Sequence, residues 1–379
     1  MIKPVNILSS TPLYPSKSGG YLRILNIAKL ASNITDVSMF AVDENVEYYG
    51  KTEGINLYQS KKYNGKLDKL GYYYAGLTSN NYSFRTPEEA FSNCRNSLIQ
   101  IEGPYFYNLL KKKNITNYIL DEHNVYWEFF SFPAYNFKEK IYNSVSCKRD
   151  KKIEINAIKN ATHTLVCSER DKSKILEEIP EAEGSISIIP NCVCFNEYDY
   201  YKKNHTRDKN GMLQILFMGS LNYGPNIDAV SLICTKIAPN FKNDIKFIII
   251  GRNPPSFDYP ENVEVLGYVD DVKKYLLDSD ICICPLRYGS GTRFKILEYM
   301  AMGKPVISTF KGAEGIDYTN GVNIIIEDNI DEYPIIISEL LENKKRLSSI
   351  GKNAEILVQE KYDWILYKDT LRQIYEKAS

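Results

Sequence analysis

Several features are scarce in this 379-residue sequence, and each shortage closes off a class of protein. No apolar run reaches the roughly 18 residues of a membrane span, and MIKPVNILSS carries no long apolar stretch after its single early lysine, so neither a spanning segment nor a secretory signal is expected. Histidine is limited to His123, His163 and His205, and no cysteine pair has C-x-x-C spacing, so no metal site and no thiol redox site is expected. The cysteines (Cys94, Cys147, Cys167, Cys192, Cys194, Cys234, Cys282, Cys284) mostly lie in apolar runs such as ICICPL, where a thiol acts as a small hydrophobe. That usage points to a reduced, cytoplasmic compartment. Charge of one sign is also lacking: Lys plus Arg equals Asp plus Glu at 47 each, so no global field favours nucleic acid or an anionic membrane.

What remains is a globular composition, 44% apolar and 25% charged, in a chain long enough for two domains. Short apolar runs alternate with helical patterns: VNILSS (5–10), a helix over 20–32, VSMFAVD (37–43), SLIQIEG (97–103), NYILDEHN (117–124), a charged helix near 138–160, THTLVCS (162–168) and SISIIPN (185–191). The stretch from Asn196 to Gly211 has no periodic apolar face and suits an exposed linker. A second cycle follows: QILFMGS (214–220), a helix over 226–241, KFIIIG (246–251), VEVLG (263–267), a helix over 271–280, ICICPL (281–286), a helix from Arg293 to Met302, PVIST (305–309), NIIIED (323–328) and helical sequence to the end. This βα alternation predicts an α/β protein of two doubly wound, mostly parallel domains, over 1–200 and 201–360, with a C-terminal helix over 361–379 packing back on the first. Ligands of such sheets bind beyond the carboxyl ends of strands, which selects the loops 10–20, 102–105, 123–124, 219–226 and 287–292.

The segment GSGTRFKILE, Gly289 to Glu298, holds the strongest local signal. Amides of Ser290, Gly291 and Thr292 at a helix start can receive phosphate, and Arg293 and Lys295 can stabilise a diphosphate leaving group. Glu298, on one face with Lys295, can accept hydrogen bonds from vicinal ribose hydroxyls, while Ile296 and Met300 face the core. In isolation the same pattern describes a helix start with a solvated Lys–Glu pair.

The wider context changes the balance. PLRYGSGTRFKILEYMAMGKPVIST followed by GAEGI resembles the donor-site signature of retaining glycosyltransferase family 4, of GT-B architecture, in its subgroup with a GSGTR-type loop. SGGYLRILNIAKL (18–30), IIPN (188–191), ILFMGSLNYGPN (215–226) and VLGYVDDVKKYL (265–276) resemble family segments in the same order, so the similarity spans nearly the whole chain. The resemblance implies two Rossmann-like domains facing across an interdomain cleft, the first holding the acceptor and the second a nucleotide diphosphate sugar.

By the same resemblance Glu298 binds ribose, Gly219 and the loop 289–292 face the donor, Gly19 and Gly20 approach its phosphate, and His123 lies near the transferred sugar. Ser290 stands where the family's two-glutamate pattern has its first carboxylate. Leu221, Asn222 and Tyr223 follow LFMGS where many members carry a basic pair, which shifts the diphosphate onto Arg293 and Lys295. Glu102 is a weaker candidate for the acceptor, with helix capping as its equal competitor. Asn191 matches a position near the interdomain crossing, where a structural turn competes.

The expected activity is transfer of a sugar, with retention, from a nucleotide-sugar donor to a glycan, lipid-linked or small-molecule acceptor, with no cofactor and no metal. Lys61 to Leu77, where lysines interleave with leucine and three tyrosines, allows a peripheral contact with the inner membrane surface, against the plainer reading of a solvated helix. Two other activities fit the same architecture: a sugar-nucleotide epimerase or hydrolase, and a noncatalytic nucleotide- or glycan-binding homologue.

Overall fold

The apolar runs of the first 190 residues become strands β1 (Val5–Ser9), β2 (Val37–Asp43), β3 (Tyr48–Thr52), β4 (Ile55–Lys61), β5 (Leu98–Glu102), β6 (Tyr118–Glu122), β7 (His163–Val166) and β8 (Ile186–Ile188). The computed structural model describes residues 2–12, 19–43, 48–61, 89–92, 96–131, 137–207, 212–241, 244–289 and 291–379. The strands pair in the order β3-β4-β2-β1-β5-β6-β7-β8, parallel except for the β3/β4 hairpin. β1, β5 and β6 are buried at every position, which is why they read as continuous apolar runs and not as alternations. The hairpin was not foreseen: its strands are rich in tyrosine and polar residues, and it turns on Glu53 and Gly54, both at positive φ.

The two faces of this sheet differ in chemistry. On one, Ile99, Ile101, Tyr118 and Leu120 join Leu109, Leu110, Ala157, Ile158 and Ile175 in an apolar core. On the other lie Gln100, Glu102 and Asp121, buried polar side chains that need partners. Their cover is the helix Gly19–Ser32 and the C-terminal helix Lys368–Ala378, which pack on one another. The last sixteen residues accordingly belong to the first compact unit, Met1–Pro190 with Trp364–Ser379, and the second unit is Asn191–Asp363.

The second unit holds a six-stranded parallel sheet of β9 (Leu213–Met218), β10 (Ile245–Ile250), β11 (Val263–Gly267), β12 (Ile281–Cys284), β13 (Val306–Ser308) and β14 (Ile325–Ile326), ordered β11-β10-β9-β12-β13-β14. One expectation is corrected here. Most of the polar stretch read as a linker from Asn196 is a helix, Phe195–Asn204, because Phe195 and Tyr198 bury a stripe too narrow to register as periodicity. The helix Phe294–Ala301 ends as its sequence suggests: Gly303 at φ 72° donates to Met300 O, and Lys304 N donates to Tyr299 O, a Schellman closure.

In both sheets the strand order reverses at one place, between β1 and β5 in the first unit and between β9 and β12 in the second. The loops leaving these strands diverge and open a crevice at the carboxyl edge. Among the described residues six cysteines carry free thiols, and no helix is long and apolar enough to cross a membrane. Beyond Lys61 itself, the segment Lys61 to Leu77 lies outside the described residues.

Candidate active site

In the first unit, parallel register places Glu102 beside Asp121 at the ends of β5 and β6, and His123 follows immediately after β6. Arg23, one turn into the helix Gly19–Ser32, is 1% exposed and forks onto Asp121, with Nη2 at 2.6 Å from Oδ1 and Nε at 3.0 Å from Oδ2. Its Nη1 donates to the Ile189 carbonyl at 2.8 Å. Pairing on two sides offsets much of the desolvation that burying a guanidinium costs, whereas leaving it unpaired would be strongly destabilising.

His123 bridges the two carboxylates. Its Nε2 stands 2.8 Å from Glu102 Oε2 and 3.5 Å from Asp121 Oδ2. The ring's other nitrogen faces the start of the helix, where a Cβ added to Gly20 would lie 4.0 Å from Nδ1. Burial favours the neutral imidazole, but hydrogen bonds and charge from Asp121 and Glu102 outweigh it and lift His123 to about 9. Burial raises Glu102 to about 7, with Asp121 adding to the rise, while Arg23 overcomes burial to hold Asp121 well below the usual carboxylate range. At neutral pH the imidazole is a cation, fit to orient and polarise an oxygen and unfit to act as a base.

Glu102, Asp121 and His123 also form a group, among the described residues, whose donor atoms converge closely enough to bracket a metal ion. Here they bracket one another, since Arg23 occupies both Asp121 oxygens and His123 spans the two acids. Glu102 is itself only 2% exposed, with its second oxygen taken by Gln100 Nε2 at 2.8 Å. Its place is behind His123. Gly19 and Gly20 open the helix, with Gly20 exposed.

The second crevice gathers the other group. Gly219 follows β9, and a Cβ there would come within 2.6 Å of Lys295 Nζ and 2.8 Å of Asn226 Nδ2, so a side chain at this position would displace the lysine from where it stands. Lys295 donates to Asn226 Oδ1 at 2.7 Å and lies 4.4 Å above the centre of the Phe217 ring. Among the described residues no carboxylate lies within 4.0 Å of that ammonium, and burial, with Arg293 beside it, lowers it to about 8.

Thr292 is buried, and its Oγ1 has no hydrogen-bond partner among the described residues. Arg293 caps the helix Phe294–Ala301 in extended conformation, its Nη2 2.8 Å from where a Cβ on Gly289 would stand; Gly289 and Gly291 both have positive φ. Glu298, one turn further, accepts from the Tyr198 hydroxyl at 3.1 Å, and burial raises it to about 7. Lys273 lies over the Tyr198 ring at 5.2 Å.

The structure therefore brings Gly219, Thr292, Arg293, Lys295 and Glu298 to one crevice and His123, Glu102 and Gly20 to the other. Ser290 lies outside the described residues, and Asn191 is buried at the first position of the second unit. Sequence reasoning missed Arg23, Gln100, Tyr198 and Asn226. Asn226 closes a loop already singled out, and its amide was the signal available there.

Comparison with known proteins bears on both units. Residues 213–343 match the model of the family described as glycosyl transferases group 1. An uncharacterized 44.6 kDa protein in the cps region of Klebsiella pneumoniae is 24% identical over 392 residues, covering 96% of this chain and 97% of that one. Among solved structures, sucrose-phosphate synthase from Thermosynechococcus elongatus superposes with a TM-score of 0.74 at 14% identity, covering 99% of this chain and 98% of that one. HepE from Anabaena, solved in complex with UDP-glucose, gives 0.65 at 14% identity with 99% of each chain covered. Two Rossmann-like units of this kind make up the GT-B fold, and the second contains the stretch that matches the group 1 glycosyl transferase model.

Proposed function

We propose that the protein is a nucleotide-sugar-dependent, retaining glycosyltransferase of family 4, with a GSGTR-type donor loop, acting on a glycan, lipid-linked or small-molecule acceptor. The observation that carries this reading is the half-buried Lys295 ammonium beside Gly219, which has no carboxylate partner among the described residues and lies one turn from Glu298. A diphosphate supplies the missing anion, and a ribose supplies donors to the second Glu298 oxygen, which receives none from the described residues. The group 1 domain over 213–343 supports the same assignment.

In this reading the Gly291 and Thr292 amides and the free Thr292 hydroxyl receive phosphate oxygens, and Arg293 with Lys295 take up charge as the glycosidic bond breaks. His123, as a cation, donates to a hydroxyl of the transferred sugar. Protein cations then do what a divalent metal does elsewhere, so turnover is expected to persist in excess EDTA.

The test uses full-length protein with uridine, guanosine and adenosine diphosphate sugars, UDP-glucose first because HepE is solved with it. Calorimetry should show Glu298→Gln weakening nucleoside diphosphate binding about tenfold or more, the scale of one hydrogen bond to a charged group. Unchanged affinity would remove Glu298 from the ribose. NMR of the glycoside formed reports its anomeric configuration; an inverted product, or nucleotide-sugar hydrolysis or epimerisation with every acceptor offered, would overturn the transferase assignment.

A further inference from the structure

The charged cluster around His123 does not end at Glu102. The Tyr375 hydroxyl donates to Gln100 Oε1 at 2.8 Å, Gln100 Nε2 donates to Glu102 Oε1 at 2.8 Å, and Glu102 Oε2 meets His123 Nε2 at 2.8 Å. Tyr375 and Gln100 are wholly buried, and Tyr375 lies 275 residues from its partner in sequence. This helix lies outside residues 213–343, the stretch that matches the group 1 model.

The chain of bonds has a single polarity. Over the range in which His123 titrates Glu102 is ionised and can only accept, so Gln100 turns its NH2 to Glu102 and its carbonyl to Tyr375, and the phenol donates. Gln100 and Glu102 stand two apart on β5 and share a face, so the strand aligns both with His123 without any adjustable loop. We propose that Tyr375 is a positioning residue for His123, acting through Gln100 and Glu102, so that the C-terminal helix is part of the first unit's site. This rests on the reading that His123 faces the transferred sugar.

Without the phenol, Gln100 Oε1 is left buried with no donor, and an amide flip sets carbonyl against carboxylate. Either outcome weakens the hold of Glu102 on the imidazole. The other groups around His123 are Asp121 on β6, itself paired with Arg23 from the helix Gly19–Ser32, and Cys167 after β7, whose thiol donates to the His123 carbonyl at 3.4 Å; Glu122 is next in sequence but on the opposite face of β6. Among the described residues none of these groups hydrogen-bonds to Tyr375 or Gln100, so the hydrogen-bonded path from Tyr375 to His123 runs through Glu102.

The experiment is imidazole NMR on full-length protein, in which only three histidines need assignment. Tyr375→Phe keeps the ring and is expected to lower the His123 titration midpoint by about one unit or more from about 9. Gln100→Met cuts the relay at its middle and should give the same shift, with no further change in the double variant. In unaltered protein the Gln100 side-chain NH2 signals should move with the His123 titration, a readout that needs no variant to fold.

An unchanged midpoint in folded Tyr375→Phe, or NH2 signals indifferent to His123, overturns the proposal. Given an active donor and acceptor, Tyr375→Phe should lower kcat about tenfold while leaving the donor KM within about twofold, as expected for misplacement of a group that acts in the transition state. If no sugar is transferred by unaltered protein while the NMR shifts occur, the function assigned to His123 fails and the relay stands.

Discussion

Glu122 sits between Asp121 and His123, 1% exposed, and neither carboxyl oxygen has a hydrogen-bond partner among the described residues. Burial, then Glu154 and Asp121, hold it protonated well above the ordinary carboxyl range. The unfolded chain releases this proton at about pH 4.5 while the folded one keeps it. The folded state therefore binds more protons, and stability falls as pH rises, by about 1.4 kcal/mol per pH unit until the raised folded pKa is reached. Glu122→Gln, which cannot ionise and keeps the shape, should leave the melting temperature near the parent value at pH 5 and above it at pH 8. Parallel melting curves across that range would show that Glu122 ionises freely in the fold.

At the scale of elements, the loop after β9 and the helix Phe294–Ala301 meet over one missing methyl. Gly219→Ala places Cβ within 2.6 Å of Lys295 Nζ, and the lysine can move only by leaving Asn226 and the Phe217 ring. Affinity for nucleoside diphosphate, measured by calorimetry, should fall about tenfold or more, as when one charge-assisted hydrogen bond is lost, while the melting temperature in its absence shifts by only a few degrees. Retained affinity would mean that the ammonium is not the diphosphate's partner.

The same elements show what sequence could and could not disclose. Buried parallel strands such as VNILS, LIQIE and YILDE announce themselves as apolar runs, and the glycine-marked turn at Gly303 is equally local. The β3/β4 hairpin and the helix Phe195–Asn204 were missed because half-exposed elements bury only a few side chains each. Of the candidate site residues, those near a strand end or a glycine loop could be singled out from sequence, and the structure places them at the two crevices. Arg23, Tyr198 and Tyr375 were not, since they reach partners 98, 100 and 275 positions away and only the packing of helix on sheet brings them there.

At the scale of the molecule, the chain leaves its first unit at Pro190, builds the second, and returns at Trp364. The returning segment buries Trp364, Leu371, Ile374 and Tyr375, and Asn117 donates to the Ala378 carbonyl at 2.7 Å. Fully burying large apolar side chains contributes about 1.5–3 kcal/mol each, so these four together stabilise the unit by about 6–12 kcal/mol, comparable to the whole stability of a domain. They also cover Gln100 and Asp121, whose exposure would dismantle the ion pair with Arg23. Deleting residues 364–379 is therefore expected to unfold the first unit while sparing the second, whose sheet receives nothing from that segment. Hydrogen exchange on the truncated chain should show β1, β5 and β6 unprotected with β9, β10 and β12 still protected. Protection retained in β5 and β6 would show that the C-terminal helix adds nothing essential to the first unit, and the loss of both sheets together would show that the second cannot stand without the first.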